Sequence, residues 1–409
     1  MKKVCIILLI THLAMQATAL SEKSFERFFE IGVSPSVNMS SNYFKLKDFF
    51  KKDVVFDLRK IADEMPRNGL KTAVLFSAPD YFVNLNLKNG WKFGLMKLGI
   101  EGDMRFNFSK QLFDVLGYGN ADMGETIEEV GSISADVFYY FNTSASFKVK
   151  KFNISVSPSL FVPVAHFETN DMGGSLTNKT DGSLSVNLLI DGTLYSCVDT
   201  KPIFDGQIPE FTVAGLVKNM GFDLGSSVSY PIFDTLQVGG YMRLPIVPGK
   251  LRHAASIKAS MSYTVESIAG VLINDTEAKF EPALSDIEYG TPTFKISRPF
   301  RMGAEAVYCP FNNWLTLSGL FGFGVKYPYT KTPKGYVEYK FGVVASVYNA
   351  LSVGLSTAYL SQVFIHEAEL KINARVLEID VAVSAQSPNF KYSFTGAGLG
   401  ARIGVAVGF

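Results

Sequence analysis

Tryptophan occurs only twice in the 409 residues, cysteine three times and histidine four times. So few cysteines exclude a disulfide framework. Beyond the first segment the histidines are His166, His253 and His366, too scattered for zinc-finger or helical ligand spacing. Neither a metal nor another cofactor is expected, and each histidine reads as a lumen or interface residue. An excess of one charge is also lacking: 39 basic residues face 38 acidic ones, which gives no support for nucleic-acid binding. After residue 19 there is no run of about 18 apolar residues, so no helical membrane span is expected. No local motif nominates a nucleophile, and the reading is not an enzyme. The stretch 396–401 fits a G-x-G-x-x-A pattern, but the chain continues in alternation to its end instead of entering a helix. It reads as a glycine-rich strand face, not a dinucleotide site.

The N-terminal segment has Lys2 and Lys3 before an apolar run from Val4 to Ile10, then Ala17-Thr18-Ala19. This reads as a secretory signal peptide over 1–19, which leaves 20–409 as one exported domain. Without Lys2 and Lys3 the balance is 37 basic to 38 acidic residues, a charge of −1. Cys197 and Cys309 then remain, either as one bridge or as two separate thiols. Six N-x-S/T triplets, at Asn38, Asn107, Asn142, Asn153, Asn178 and Asn274, read as chance occurrences.

Aromatics and glycine are abundant, with 34 Phe, 18 Tyr and 35 Gly. They fall into period-two patterns. At the C-terminus Ala397, Leu399, Ala401, Ile403, Val405, Val407 and Phe409 alternate with Gly398, Gly400, Arg402, Gly404, Ala406 and Gly408. That is a strand with one greasy and one narrow, wettable face. The same alternation runs from Phe29 to Met39 and from Ile133 to Val149, where a turn at Lys150-Lys151 leads back through Phe152 to Val162. Further candidates lie near 78–88, 91–109, 183–195, 211–218, 220–230, 236–247, 253–265, 298–309, 315–327, 336–348, 351–371, 373–385 and 395–409. The fold class expected is all-β: a transmembrane antiparallel β-barrel of about 14 strands, within a range of 12–16, because bacterial single-chain barrels carry an even number.

Two stretches depart from this pattern. Residues 43–65 read as an amphipathic helix inserted after the first strand, with Phe49, Phe50, Val54, Leu58 and Ile61 on its apolar stripe and Pro66 and Gly69 beyond its end. Such a helix could plug the lumen, lie at the membrane surface or cap one end of the barrel. A shorter helix is expected from Gln111 to Leu116, and loops over 167–182, 196–210 and 266–297. Glu101, Asp103 and Arg105 alternate with Gly102 and Met104, which would point three charges into the lumen, either as a solute or selectivity site or as a salt-bridged strut. Arg375 and Arg402 are further inward candidates.

The leader, the repeated amphipathic strands and the terminal Val405-Ala406-Val407-Gly408-Phe409 resemble a Gram-negative outer-membrane β-barrel protein. That resemblance implies location in the cell outer membrane, contact with its lipids, and recognition of C-terminal Phe409 by the barrel-assembly machinery. Within the class, length, strand number and the helix resemble the FadL-type long-chain fatty acid transporter family. The family's Asn-Pro-Ala is not found, and the helix follows the first strand instead of preceding it, so no family binding residue is carried over. The resemblance implies a monomeric channel or transporter for passive uptake of small, hydrophobic solutes such as long-chain fatty acids, with a hydrophobic small molecule as ligand. The alternative is a surface-exposed binding or structural protein without transport.

Overall fold

The computed structural model describes residues 27–44, 57–87, 90–118, 125–127, 130–178, 184–210, 212–265, 279–284, 287–311, 314–348, 350–394 and 397–409. Among them the chain crosses the same closed antiparallel sheet fourteen times. The first crossings are β1 (Phe29–Val33 and Ser36–Ser41), β2 (Leu70–Asn86), β3 (Lys92–Phe108), β4 (Gly131–Val149) and β5 (Phe152–Asn178). The next three are composite: β6 (Leu184–Ser196 and Gly221–Phe233), β7 (Leu236–Val247, Gly249–Leu251 and His253–Val265) and β8 (Lys279–Leu284, Glu288–Gly290, Phe294–Ile296 and Phe300–Phe311). The last six are β9 (Leu315–Lys326), β10 (Lys334–Val347), β11 (Leu351–Leu360), β12 (Val363–Ala374), β13 (Leu377–Ser387) and β14 (Gly398–Gly408). The seam is β14 against β1, with Val407 opposite Ile31 and Ala401 opposite Val37. Closure leaves no strand edge to be satisfied by lipid.

The alternation in the sequence is the two-sidedness of this wall. In β14, Leu399, Ile403, Val405 and Val407 are exposed, whereas Gly398, Gly400, Arg402, Gly404, Ala406 and Gly408 are buried. A Cβ on Gly400 would lie 2.1 Å from Asn38 Oδ1 and 2.2 Å from Gln386 Nε2, so only hydrogen fits that inward position. Two belts of rings mark the lipid boundaries. At one end Phe28 and Phe29 meet Phe409, Trp91 stacks on Phe147, Phe152 meets Tyr230 and Phe311 stacks on Trp314. At the other, Tyr339, Tyr359, Phe364, Phe390 and Phe394 form a chain of contacts. Tyr339 on the tilted β10 and Tyr348 in the turn just after it are nine positions apart, which separates the two ends by roughly 23 Å, close to the apolar height of an outer-membrane barrel. This is a transmembrane β-barrel of the outer-membrane type. The end that holds Phe28, Phe29 and Phe409 has the short turns and is the periplasmic one by the usual rule.

The wall is uneven. β11 to β14 have 10 to 12 residues, about one membrane crossing, whereas β4 has 19 and β5 has 27. The outer halves of β2 to β8 therefore stand above the bilayer on one side. Near the outer boundary β6 is interrupted. Ser196 pairs with Ala165 and Gly221 with Phe161, so residues 197–220 leave the wall between them. Next to this gap Gly249–Leu251 of β7 pairs with Phe294–Ile296 of β8 as a separate two-stranded ribbon.

Five short helices decorate the barrel among the described residues: α1 (Leu58–Glu64), α2 (Lys110–Tyr118), α3 (Lys201–Phe204), α4 (Val213–Asn219) and α5 (Phe390–Ser393). Asp57 caps α1 by accepting from the Lys60 amide, and Thr212 caps α4 by accepting from the Gly215 amide.

Several expectations need correction. Residues 213–218 of the candidate strand 211–218 belong instead to α4, because the Thr212 cap starts a helix that packs Leu216 and Met220 against the apolar cluster. Within 167–182, residues up to Asn178 belong to β5, and within 266–297 three strand segments occur. The candidate 351–371 is two strands, divided by the Ser361-Gln362 turn. Arg375 is exposed at a turn with φ 53° and does not face the lumen. Cys197 and Cys309 are both buried free thiols.

Candidate functional site

The lumen contains a cavity of about 340 Å³. Its wall extends from Lys371 and Glu378 near the turn end to Asp80, Asp223 and Arg243 near the outer boundary. Serine is the commonest residue of this wall, with Ser144 on β4, Ser157 on β5, Ser227 on β6 and Ser318 on β9 among its positions. Such small hydroxyl side chains at every second position leave room for water along the axis. On the β12–β14 side, Arg402 pairs with Glu369 at 3.0 Å and Asp380 at 3.2 Å, and Lys371 with Glu378 at 3.0 Å.

A charged shelf closes the chamber on its outer side. Arg298, just before the main segment of β8, is fully buried and reaches across the lumen to Glu101 on β3, Nε to Oε1 at 2.8 Å. Its Nη1 lies 3.5 Å from Asp223 on β6 and donates to Ser159 Oγ on β5 at 2.7 Å. Its guanidinium also sits 5.3 Å from the centre of the Tyr140 ring. One cation thus ties four strands to the inserted segment, an arrangement whose strength depends on every polar atom being matched.

Above the shelf the interior turns apolar. Phe138, Phe161, Val162, Leu251 and Ile296 form a buried cluster with Cys197, flanked by Val198, Leu216, Met220 and Phe294. The ribbon and the stalks of the 197–220 excursion supply half of it, directly beside the gap in β6. Phe294 stacks on His166 at 4.9 Å and on Tyr195 at 4.3 Å, both on the inward face of the upper wall.

At the mouth, the connection after β9 crosses to the opposite wall. Tyr327 donates its hydroxyl to Asp136 on β4 at 2.7 Å, and Lys326 pairs with the same carboxylate at 2.8 Å. Burial and the Asp136 charge push the Tyr327 phenol well above the usual range, so it remains a donor. Asp136 also holds His166 Nδ1 at 2.7 Å. Tyr329 donates to the carbonyl of Pro245 at 2.6 Å, and Arg105 to the carbonyl of Ser361 at 3.3 Å. Residues from the short side of the barrel are thereby fastened to the tall side.

Of the residues singled out from sequence, Glu101, Asp103 and Arg105 all point inward. They are not one group: Glu101 joins the Arg298 shelf, while Asp103 takes Arg105 at 2.9 Å and Lys326 at 3.7 Å in the mouth network. Phe49, Phe50 and Val54 lie outside the described residues. Leu58 starts α1, and Ile61 packs with Met65 and Leu70 against Phe44, Phe108 and Phe113. That places α1 beside α2 on the outer rim, and no described residue of α1 lines the chamber. His366 lies on the outer wall, 3.9 Å from the Phe394 ring and within 2.8 Å of Ser393 Oγ. Sequence reasoning missed Arg298, Asp136, Lys326 and Tyr327. The signal for Asp136 was available, since it is the one carboxylate within the Ile133–Val149 alternation.

No family model and no curated protein matches the sequence. Solved structures similar to it include the Ralstonia pickettii toluene transporter TbuX, at 11% identity, 93% of this chain, 89% of that chain and a TM-score of 0.44. A Pseudomonas aeruginosa FadL homologue gives 10% identity, 94% and 91% coverage and a TM-score of 0.40. The translocator domain of the autotransporter NalP from Neisseria meningitidis gives 7%, 99% and 98%, and 0.34. The barrel itself is defined by the strand register described above, independently of these likenesses.

Proposed function

We propose that this protein is an outer-membrane channel for passive uptake of small hydrophobic solutes, long-chain fatty acids among them, of the kind the FadL resemblance implies. The observation that carries this reading is the apolar cluster around Phe138, Phe161, Leu251 and Ile296, held inside a barrel directly above a chamber lined by charged and hydroxyl side chains. Barrel interiors are ordinarily polar, and structural filling alone could be done with paired charges, as the Arg298 shelf does. A greasy pocket beside a wall interruption suits capture of an apolar molecule. Displacement of the shelf would then release it into the chamber and the periplasm. The toluene and monoaromatic hydrocarbon channels among the similar structures are named for cargo of this chemical class.

The test is uptake of a hydrophobic solute and of a fatty acid by liposomes containing residues 20–409, against a variant lacking 43–65 and protein-free vesicles. Flux above the protein-free level is expected. Vanishing flux in both proteins sinks the transport reading. A second reading, a surface-exposed binding protein, is favoured by the height of β4 and β5 above the bilayer; it requires ligand capture by the outer segments without flux.

A further inference from the structure

We infer that the chamber is electronegative and selects for solutes with neutral or cationic headgroups over anionic ones. Eight of its lining side chains are carboxylates and only four are cations. Three further guanidinium groups pair with these carboxylates, those of Arg27, Arg298 and Arg402, but they are buried and do not line the chamber. Side-chain exposure is 5% for Arg27, 0% for Arg298 and 4% for Arg402, against 20% for Glu378 and 31% for Glu369. Lys371, Lys340 and Lys97 are also open to the chamber, at 24%, 15% and 17%, so a solute meets cations as well, but twice as many carboxylates line its path. Two of these carboxylates are weakly compensated. Glu305 on β8 has no ion-pair partner among the described residues, and it faces Gly239, where a Cβ would lie 2.8 Å from its Oε1. Asp223, fully buried at the outer end of the chamber, accepts no hydrogen bond among the described residues, and its one ion-pair contact among them is the 3.5 Å approach of Arg298. The serine wall contributes no compensating charge. Low-dielectric walls around charges of one sign focus the potential and concentrate the opposite ion.

This deepens the transport reading by naming the cargo that the chamber favours. Among molecules sharing one alkyl chain, the alcohol and the ammonium should enter ahead of the carboxylate, so a fatty acid would enter best uncharged. The potential itself is measurable without any transport. Ser318→Cys and, separately, Ser157→Cys would be placed in a Cys197→Ser/Cys309→Ser background, and folding confirmed by heat-modifiable migration. Each thiol would be reacted at pH 8 with a cationic and an anionic methanethiosulfonate of similar size. Relative to a small free thiol, the cation-to-anion rate ratio is expected to rise roughly tenfold or more. It should fall toward the free-thiol value in Glu305→Gln/Glu367→Gln and at about 1 M salt, where the Debye length is near 3 Å. A ratio at or below that of the free thiol overturns the inference, as does no reaction with either reagent at both positions. A raised ratio without solute flux would sink only the transport reading.

Discussion

The Arg298 shelf makes the sharpest energetic prediction. Replacing Arg298 by Met keeps much of the side-chain volume but removes the cation that holds Glu101 at 2.8 Å and approaches Asp223 at 3.5 Å, both fully buried. Breaking a buried pair and leaving its carboxylates behind costs about 3–5 kcal/mol. Glu101→Gln is milder, because Arg298 keeps Asp223, the Ser159 hydroxyl and the Tyr140 ring; about 1–2 kcal/mol is expected. With Gln in place, removing the cation no longer strands the Glu101 charge, so the double variant should cost less than the sum by roughly 2 kcal/mol. Urea unfolding in lipid vesicles, followed through Trp91 and Trp314 in the turn-end belt, reads this out. At a slope near 3 kcal/mol per molar, Arg298→Met should lower the midpoint by more than about 1 M. Strict additivity of the two changes, within about 0.5 kcal/mol, would refute the pairing of Arg298 with Glu101.

Four other outcomes follow from the geometry. Tyr327→Phe deletes the donor to Asp136 and should loosen the mouth by about 1–3 kcal/mol, seen as increased conductance in planar bilayers. Gly400→Val should overpack the inward face of β14 and destabilise by about 1–3 kcal/mol. Ala401→Val, on the exposed lipid side, should stay within about 0.5 kcal/mol in the same vesicle assay. Cys197 and Cys309 should both be alkylated after unfolding without reductant, with no mobility change on reduction; a resistant pair would contradict the free thiols.

Much of the wall was legible because the bilayer imposes one rule on it. Wherever one face meets lipid and the other the lumen, as at Leu236–Val247 or Gly398–Gly408, period two shows directly in the residues. The rule lapses where the strands leave the membrane. Glu168, Thr169, Asn170 and Asp171 are polar on both faces because both faces of β5 are wet there, so a strand reads as a loop. Val213–Asn219 failed for the opposite reason: small and apolar residues mimic a strand, and only the cap at Thr212 tells otherwise. The lumen groups Glu101, Asp103 and Arg105 could be seen from parity on β3. Their partners could not, because Arg298 and Lys326 come from strands brought opposite β3 only by closure of the barrel.

The proposed route takes apolar solutes through the cluster of Phe138, Phe161, Leu251 and Ile296 into the chamber below it. The most direct measurement is the rate at which liposomes containing the folded barrel take up a neutral hydrophobic solute, compared with protein-free liposomes. Uptake above the protein-free rate, rising further in Tyr327→Phe, is the result expected. Uptake equal to that of empty vesicles in both proteins, with the barrel shown intact by heat-modifiable migration, would contradict it.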